Sequence, residues 1–433
     1  MITDSGAARP SKTEVWVTAS AVLMVASFAT LMRAYFFIKL FFLVVFLCGF
    51  LLRVFLGNVR VVLYRRLLWF YLLSALAGLV WGLIGLLRPY NYFQGCLDGL
   101  KLYVCWSGAF LILYTLLRAL PSAKIMHRSI VLAGFLVPLI NLAALCDQFM
   151  GLGLIPQSVR DELGIEIGIG HGYYQYATPN IAILFLIVPY LISLHSRSDA
   201  GESKSAFSRT ALLLSLILVV VSGRRAVWLI VAFTPITILL LSMVTDSYGQ
   251  LKLRSRRLLV AWAVAGVVSL GALLIYSNGS PDNSALSGIK AAFSSDDERS
   301  IQKPYLLEGF ERSPLFGSGF GAHALYVRSA ETPWSYELTY YVMLFDLGCV
   351  GVTALGLLHL VYFAKTRRIF QQFKDGSAVP FALLVAYCSL LIGAYGDPYF
   401  GGFDTLFFAG LLPYLSSFHC GFNEGGLTAG MTN

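Results

Sequence analysis

The chain alternates long apolar runs with short polar segments, and the apolar runs have the length of bilayer spans. They fall at approximately 15–32, 34–56, 67–87, 99–117, 129–149, 179–195, 210–223, 226–243, 259–277, 337–363, 380–394 and 405–419. Runs of about 18–22 residues fit a hydrocarbon core about 30 Å thick. A membrane barrel would alternate apolar and polar residues instead. The pattern predicts an all-α polytopic membrane protein of about twelve helices, one integral domain over 1–433. Two of the stretches are too long for one span and contain arginine: 15–56 with Arg33, and 210–243 with Arg224 and Arg225. A single helix over 210–243 would bury two arginines near the midplane, at about 2.5–3.5 kcal/mol each on the insertion scale. A helical hairpin with both at its tip avoids that cost.

One polar insert, 278–336, interrupts the pattern before the tenth predicted span. Loops longer than about 12–15 residues tend to be functional or disordered. This one carries Arg299, Arg312 and Arg328, then the glycine-rich Ser313-Pro314-Leu315-Phe316-Gly317-Ser318-Gly319-Phe320-Gly321, and returns to apolar sequence at Glu337. It reads as half of an active site at a membrane surface.

Composition agrees with the pattern: 433 residues, 57% hydrophobic, 13% charged. The stretch to Glu14 is polar and the first apolar run lacks a cleavage site, so that run is expected to stay as a span. The seven cysteines form no CxxC and no Cys/His cluster, which predicts neither a metal site nor a disulfide framework. The net charge of +9 matters less than where it sits. Counting spans as above puts 20 of the 32 basic residues on one side, which predicts a cytoplasmic face carrying both termini. The segments 88–98, 150–178, the Arg224-Arg225 tip, 278–336 and 395–404 are then external.

That external face gathers Arg160, His171, Arg224, Arg225, Arg299, Arg312, Glu337 and Asp397. Arginine should be depleted there, and an anionic ligand is the simplest reason to keep it, since guanidinium binds phosphate bidentately. Each residue also has a plainer reading. Arg224 and Arg225 could hold a hairpin tip at the interface. Arg299, Arg160 and Arg312 could be solvated charges, and His171 a packing residue of its loop. Glu337 could complement a helix dipole; as chemistry it would be the base that takes a proton from an attacking sugar hydroxyl. The glycines at 317, 319 and 321 lack the strand and helix of a nucleotide cradle and predict a tight loop.

Four local patterns belong together. Ala177-Thr178-Pro179-Asn180 opens an apolar span, and Ser222-Gly223-Arg224-Arg225-Ala226 forms a turn. Arg299 precedes the loop Ser313 to Gly321. Glu337-Leu338-Thr339-Tyr340-Tyr341 runs on to Gly348-Cys349-Val350-Gly351. Together they resemble the O-antigen polymerase and O-antigen ligase superfamily of membrane glycosyltransferases, over roughly residues 165–360. The resemblance implies a GT-C-like helical fold in a bacterial inner membrane, with the site at the periplasmic face. It implies an undecaprenyl-diphosphate-linked glycan as donor and another carrier-linked glycan (polymerase) or the lipid A core (ligase) as acceptor. A chain-length regulator would be an accompanying partner. No metal, cofactor or nucleic acid is implied. Arg224, Arg225, Arg299, His171 and Arg312 would hold the diphosphate and substrate, and Glu337 would be the base. Counting back from Gly348, Glu337 occupies the position that is histidine in typical ligases, and His171 stands where an arginine often precedes the Pro-Asn turn. Both departures favour polymerase over ligase. A lipid-linked oligosaccharide transporter is the reading from another class. It would place ionisable groups near the midplane on broken helices, whereas here they gather at external ends.

Overall fold

A computed structural model describes residues 11–32, 34–57, 59, 61–170, 173–198, 205–262, 264, 297–372, 378–395 and 403–417. Among these, eight helices are long and apolar enough to cross a membrane: Lys12–Thr30, Phe36–Phe55, Arg65–Leu87, Phe93–Arg118, Ser122–Met150, Pro179–Ser196, Ala226–Val244 and Thr339–Gln371. Three shorter apolar helices among the described residues, Ala206–Val221, Ala378–Gly393 and Leu406–Leu415, pack with them. The protein is a multi-pass α-helical membrane protein. The expected span over 259–277 lies almost wholly outside the described residues.

Both expected breaks are present. Lys12–Thr30 and Phe36–Phe55 are separate helices, with Tyr35 in the left-handed region between them. Ala206–Val221 ends before Ser222, Gly223 turns the chain at φ 65°, and the next helix starts at Arg225. Two arginines therefore sit at a helix end rather than mid-bilayer. Three other helix ends carry caps written in the sequence. Ser11 accepts from the Glu14 N–H, Ser205 accepts from the Ser208 N–H, and Gly151 ends Ser122–Met150 at φ 64°.

The segment 150–178 is more ordered than an external loop. It holds a short helix, Gln157–Glu162, and an antiparallel hairpin, Glu166–Gly170 with Tyr173–Ala177, in which Gly168 pairs with Gln175. The insert was also expected to be a loop, yet Asp297–Arg312 is helical. Residues 278–296 lie outside the described set.

The core is built around Pro179–Ser196, the most buried helix, against which Ala378–Gly393 packs most closely. Polar side chains join the helices at its start. The Asn141 amide donates to Asn180 Oδ1 at 3.0 Å, Thr178 reaches Asn141 Oδ1 at 2.8 Å, and Asn180 donates to the Thr30 carbonyl at 3.1 Å. Such bonds hold helices together where lipid offers no hydrophobic driving force between them. The Thr-Pro-Asn pattern is thus a packing joint here.

Candidate functional site at one end of the bundle

Helix Thr339–Gln372 is interrupted at Gly348, with φ 64° and ψ −173°. The break is filled by the glycine-rich loop. Phe345 and Asp346 give their carbonyls to the Ser318 and Gly319 N–H groups at 2.8 and 2.9 Å. Beyond the break, the Cys349 and Val350 N–H groups bond the Pro314 and Leu315 carbonyls at 2.8 and 3.0 Å. The loop backbone thereby stands in for helical bonds that Gly348 cannot make. Only glycine fits: a Cβ on Gly348 would lie 2.4 Å from Gly317 N, and one on Gly317 would lie 2.3 Å from the Asp346 carbonyl oxygen. Trp81 Nε1 donates to the Phe316 carbonyl, and Asn91 Nδ2 to those of Ser318 and Phe320, which ties the loop to the end of Arg65–Leu87.

This joint fixes what stands above it. Asp297–Arg312 lies against the start of Thr339–Gln372, with Leu306 in a small core of Ala322, Ala324, Tyr336, Leu338 and Phe345. Gly309 lets the Phe345 ring approach to 2.3 Å of where a Cβ would be. The Tyr336 hydroxyl accepts from the Ala324 N–H at 2.7 Å and donates to the Tyr326 carbonyl at 3.1 Å. Burial pushes its pKa up to about 12, so it stays a neutral donor.

Glu337 follows directly, and two arginines hold its carboxylate. Arg299 Nε donates to Oε2 at 2.8 Å and Arg328 Nη2 to Oε1 at 2.6 Å. The Glu337 N–H donates to Oε1 of the fully buried Gln302, at 3.0 Å. The Glu337 side chain is 17% exposed and those of Arg299 and Arg328 are 31% and 32% exposed, so the cluster is only partly buried.

Contacts place the other expected residues relative to this cluster. The Tyr340 hydroxyl donates to the Leu391 carbonyl, Phe185 packs on Gly393, and the Tyr176 N–H donates to the Ser222 carbonyl at 3.0 Å. This chain of contacts runs from the start of Thr339–Gln372 to the Arg224-Arg225 turn, so the turn is at the same end of the bundle as Glu337. Arg224 caps the helix that Arg225 begins, and of Arg225 the structure describes the backbone alone. Arg312 is not brought to Glu337. It pairs with Glu308 at 2.6 Å at the far end of its helix, about 20 Å along the axis from Arg299. There it lines a cavity of about 360 Å³ with Arg88, Tyr90, Tyr305 and His323. Arg160 is structural: it pairs with Asp147, which also accepts from the Leu154 and Ile155 N–H groups. His171 and Asp397 lie outside the described residues.

Arg328, noted on the insert but not placed among the expected binding residues, and Gln302, which the sequence did not single out, both join the cluster. Arg328 meets the criterion that singled out Arg299, an arginine on the side where arginine should be scarce. Gln302 had no such signal. Among the described residues no group of three or more His, Cys, Asp or Glu side chains could hold a metal ion. No protein-family model matches the chain, and a comparison with curated proteins finds no match either.

Proposed function

We propose that the protein is a glycosyltransferase that polymerises undecaprenyl-diphosphate-linked polysaccharide repeat units at the periplasmic face of a bacterial inner membrane. The observation that carries this reading is the Arg299–Glu337–Arg328 cluster at the end of the bundle opposite its basic loops. It supplies the two kinds of group the reaction needs. A carrier diphosphate is already a good leaving group, and guanidiniums stabilise the charge that develops on it. A carboxylate beside them can take the proton from the acceptor hydroxyl.

The geometry also suggests an order of events. Both carboxylate oxygens are occupied by arginine. A diphosphate carries more negative charge than a carboxylate and competes for the same guanidiniums. When it binds, Glu337 is released to the acceptor. Arg224 and Arg225, on the neighbouring turn, would complete the anion site. The cavity beside Arg312 offers Tyr90 and Tyr305 as stacking faces for sugar further along the glycan.

Transport of a lipid-linked oligosaccharide would draw on the interruption at Gly348. Transporter half-helices point their ends at a ligand. Here the chain's own backbone, Pro314 to Gly319, occupies the break, which favours a rigid site over a gate.

The test is deletion followed by electrophoresis of lipopolysaccharide and of carrier-linked glycan. Loss of the long ladder, with core bearing a single repeat unit retained, is the expected result. Loss of all core-attached glycan with carrier-linked polymer accumulating would make the protein a ligase. An unchanged profile in both pools would remove O-antigen as the substrate.

A further inference from the structure

At the opposite end of the bundle a groove of about 860 Å³ opens between Arg65–Leu87 and the second half of Thr339–Gln372. Its polar end carries Arg65, Arg66 and Lys365, and among the described residues no Asp or Glu lines it. Its wall is apolar and faces outward, with Trp69, Leu73 and Leu357 each about half exposed beside Ala354. Arg66 is partly committed, since its guanidinium donates to the Ser416 carbonyl. Lys365 lies over the Tyr362 ring at 4.7 Å, which keeps its ammonium at the groove rather than in solvent.

We propose that this groove binds one anionic diacyl phospholipid of the leaflet at the basic end. Its phosphate sits between Arg65 and Lys365, and its acyl chains lie on Trp69, Leu73, Ala354 and Leu357. Three cations without a carboxylate are unbalanced charge that a zwitterionic headgroup neutralises poorly and an anionic one neutralises well. The apolar wall below them matches chains rather than a free anion. The site is at the other end of the molecule from Glu337, so it stands or falls independently of the transferase reading.

The test is binding of fluorescent phosphatidylglycerol and phosphatidylcholine, with the same acyl chains, to the full chain in detergent. The wild type should prefer phosphatidylglycerol. Each cation removed should cost about fivefold, so R65Q/K365Q should weaken phosphatidylglycerol about 25-fold and leave phosphatidylcholine unchanged. A354W keeps the charges and fills the wall, and it should weaken both lipids. Thermal unfolding confirms that each variant is folded. Equal affinity for the two lipids, or a preference that survives R65Q/K365Q, overturns the proposal. Unchanged binding by A354W also overturns it, because the cations would then act without the groove. Removing 418–433 should leave phosphatidylglycerol binding unaltered; a marked gain would make that segment the occupant instead.

Discussion

Glu337 separates a catalytic from a structural reading of its cluster, because a salt-bridged carboxylate can serve either end. Glu337→Gln keeps the side-chain length and an acceptor oxygen and removes the charge. We expect glycan transfer in a membrane assay with a lipid-linked donor to fall by about 10²-fold or more, the usual scale for a lost general base. Unfolding temperature should change little, since the cluster is partly exposed and each of its ion pairs contributes about 1 kcal/mol or less. A large drop in unfolding temperature with transfer intact would make Glu337 a staple of the 322–338 segment. Arg328→Ala should reduce transfer with a raised apparent KM for the donor, as expected of a phosphate ligand. A normal donor KM in that variant would take Arg328 out of the anion site. At this scale the sequence was partly legible. Arg299 stands out as an arginine on the side where the expected topology makes arginine scarce and Glu337 as a carboxylate at the start of an apolar helix, and the fold brings them within 2.8 Å. Arg312 had the same credentials and is a helix length away, because spacing along a polar insert says nothing about which turn of a helix faces the site. Asn180, read from the sequence only as part of the pattern that opens a span, knits three helices.

The elements show why the glycine patterns belong together. Ser313 to Gly321 and Gly348 to Gly351 are distant in sequence, yet they form one backbone joint that breaks a helix and refills the gap. Gly348→Ala and Gly317→Ala each force a Cβ to within 2.5 Å of backbone atoms at a positive φ. We expect both to lower the unfolding temperature in detergent and to abolish transfer, because the joint supports Glu337 from below. Gly356→Ala is the control: it lies in the same helix with nothing within 4 Å of its added Cβ. It should be neutral, or slightly stabilising by up to about 1 kcal/mol. Equal loss in all three variants would mean that helix flexibility matters and the joint does not. Hydrophobic run length located most helices, and paired arginines located a turn. The helix Asp297–Arg312 escaped notice because it lies in polar sequence where no apolar period marks it, and the hairpin Glu166–Gly170 with Tyr173–Ala177 because the alternation of Ile165, Ile167 and Ile169 with glycine and glutamate is too short to stand out beside the spans.

The whole molecule is set by a contrast between its ends. Inside the bundle, Lys39 and Asp404 form a pair at 2.9 Å, 9% and 5% exposed, between segments 365 residues apart in sequence. Lys39→Met should destabilise by about 3–5 kcal/mol, because it leaves a buried carboxylate without its ammonium, and Lys39→Met with Asp404→Leu should recover most of that. Unfolding temperatures of the two proteins check it. A double variant as unstable as the single one would show that the pair is needed for more than charge balance. The charge at the ends then predicts a direction. Arg66, Arg118 and Arg197 join segments at one end, through Ser416, Ser417 and Gln250, and Lys365 lies over Tyr362 of its own helix at the same end. Glu337 and the Arg224-Arg225 turn occupy the other. Positive charge stays on the cytoplasmic side during insertion, so Glu337 should face outward. In a cysteine-free background, a membrane-impermeant maleimide added to intact cells should label a cysteine at the exposed Glu331 and not one at the exposed Arg367. Permeabilised cells should label both. The reverse pattern would place Glu337 in the cytoplasm, where nucleotide-activated sugars are at hand, and a reaction drawing on an outward-facing carrier diphosphate would lose its physical basis.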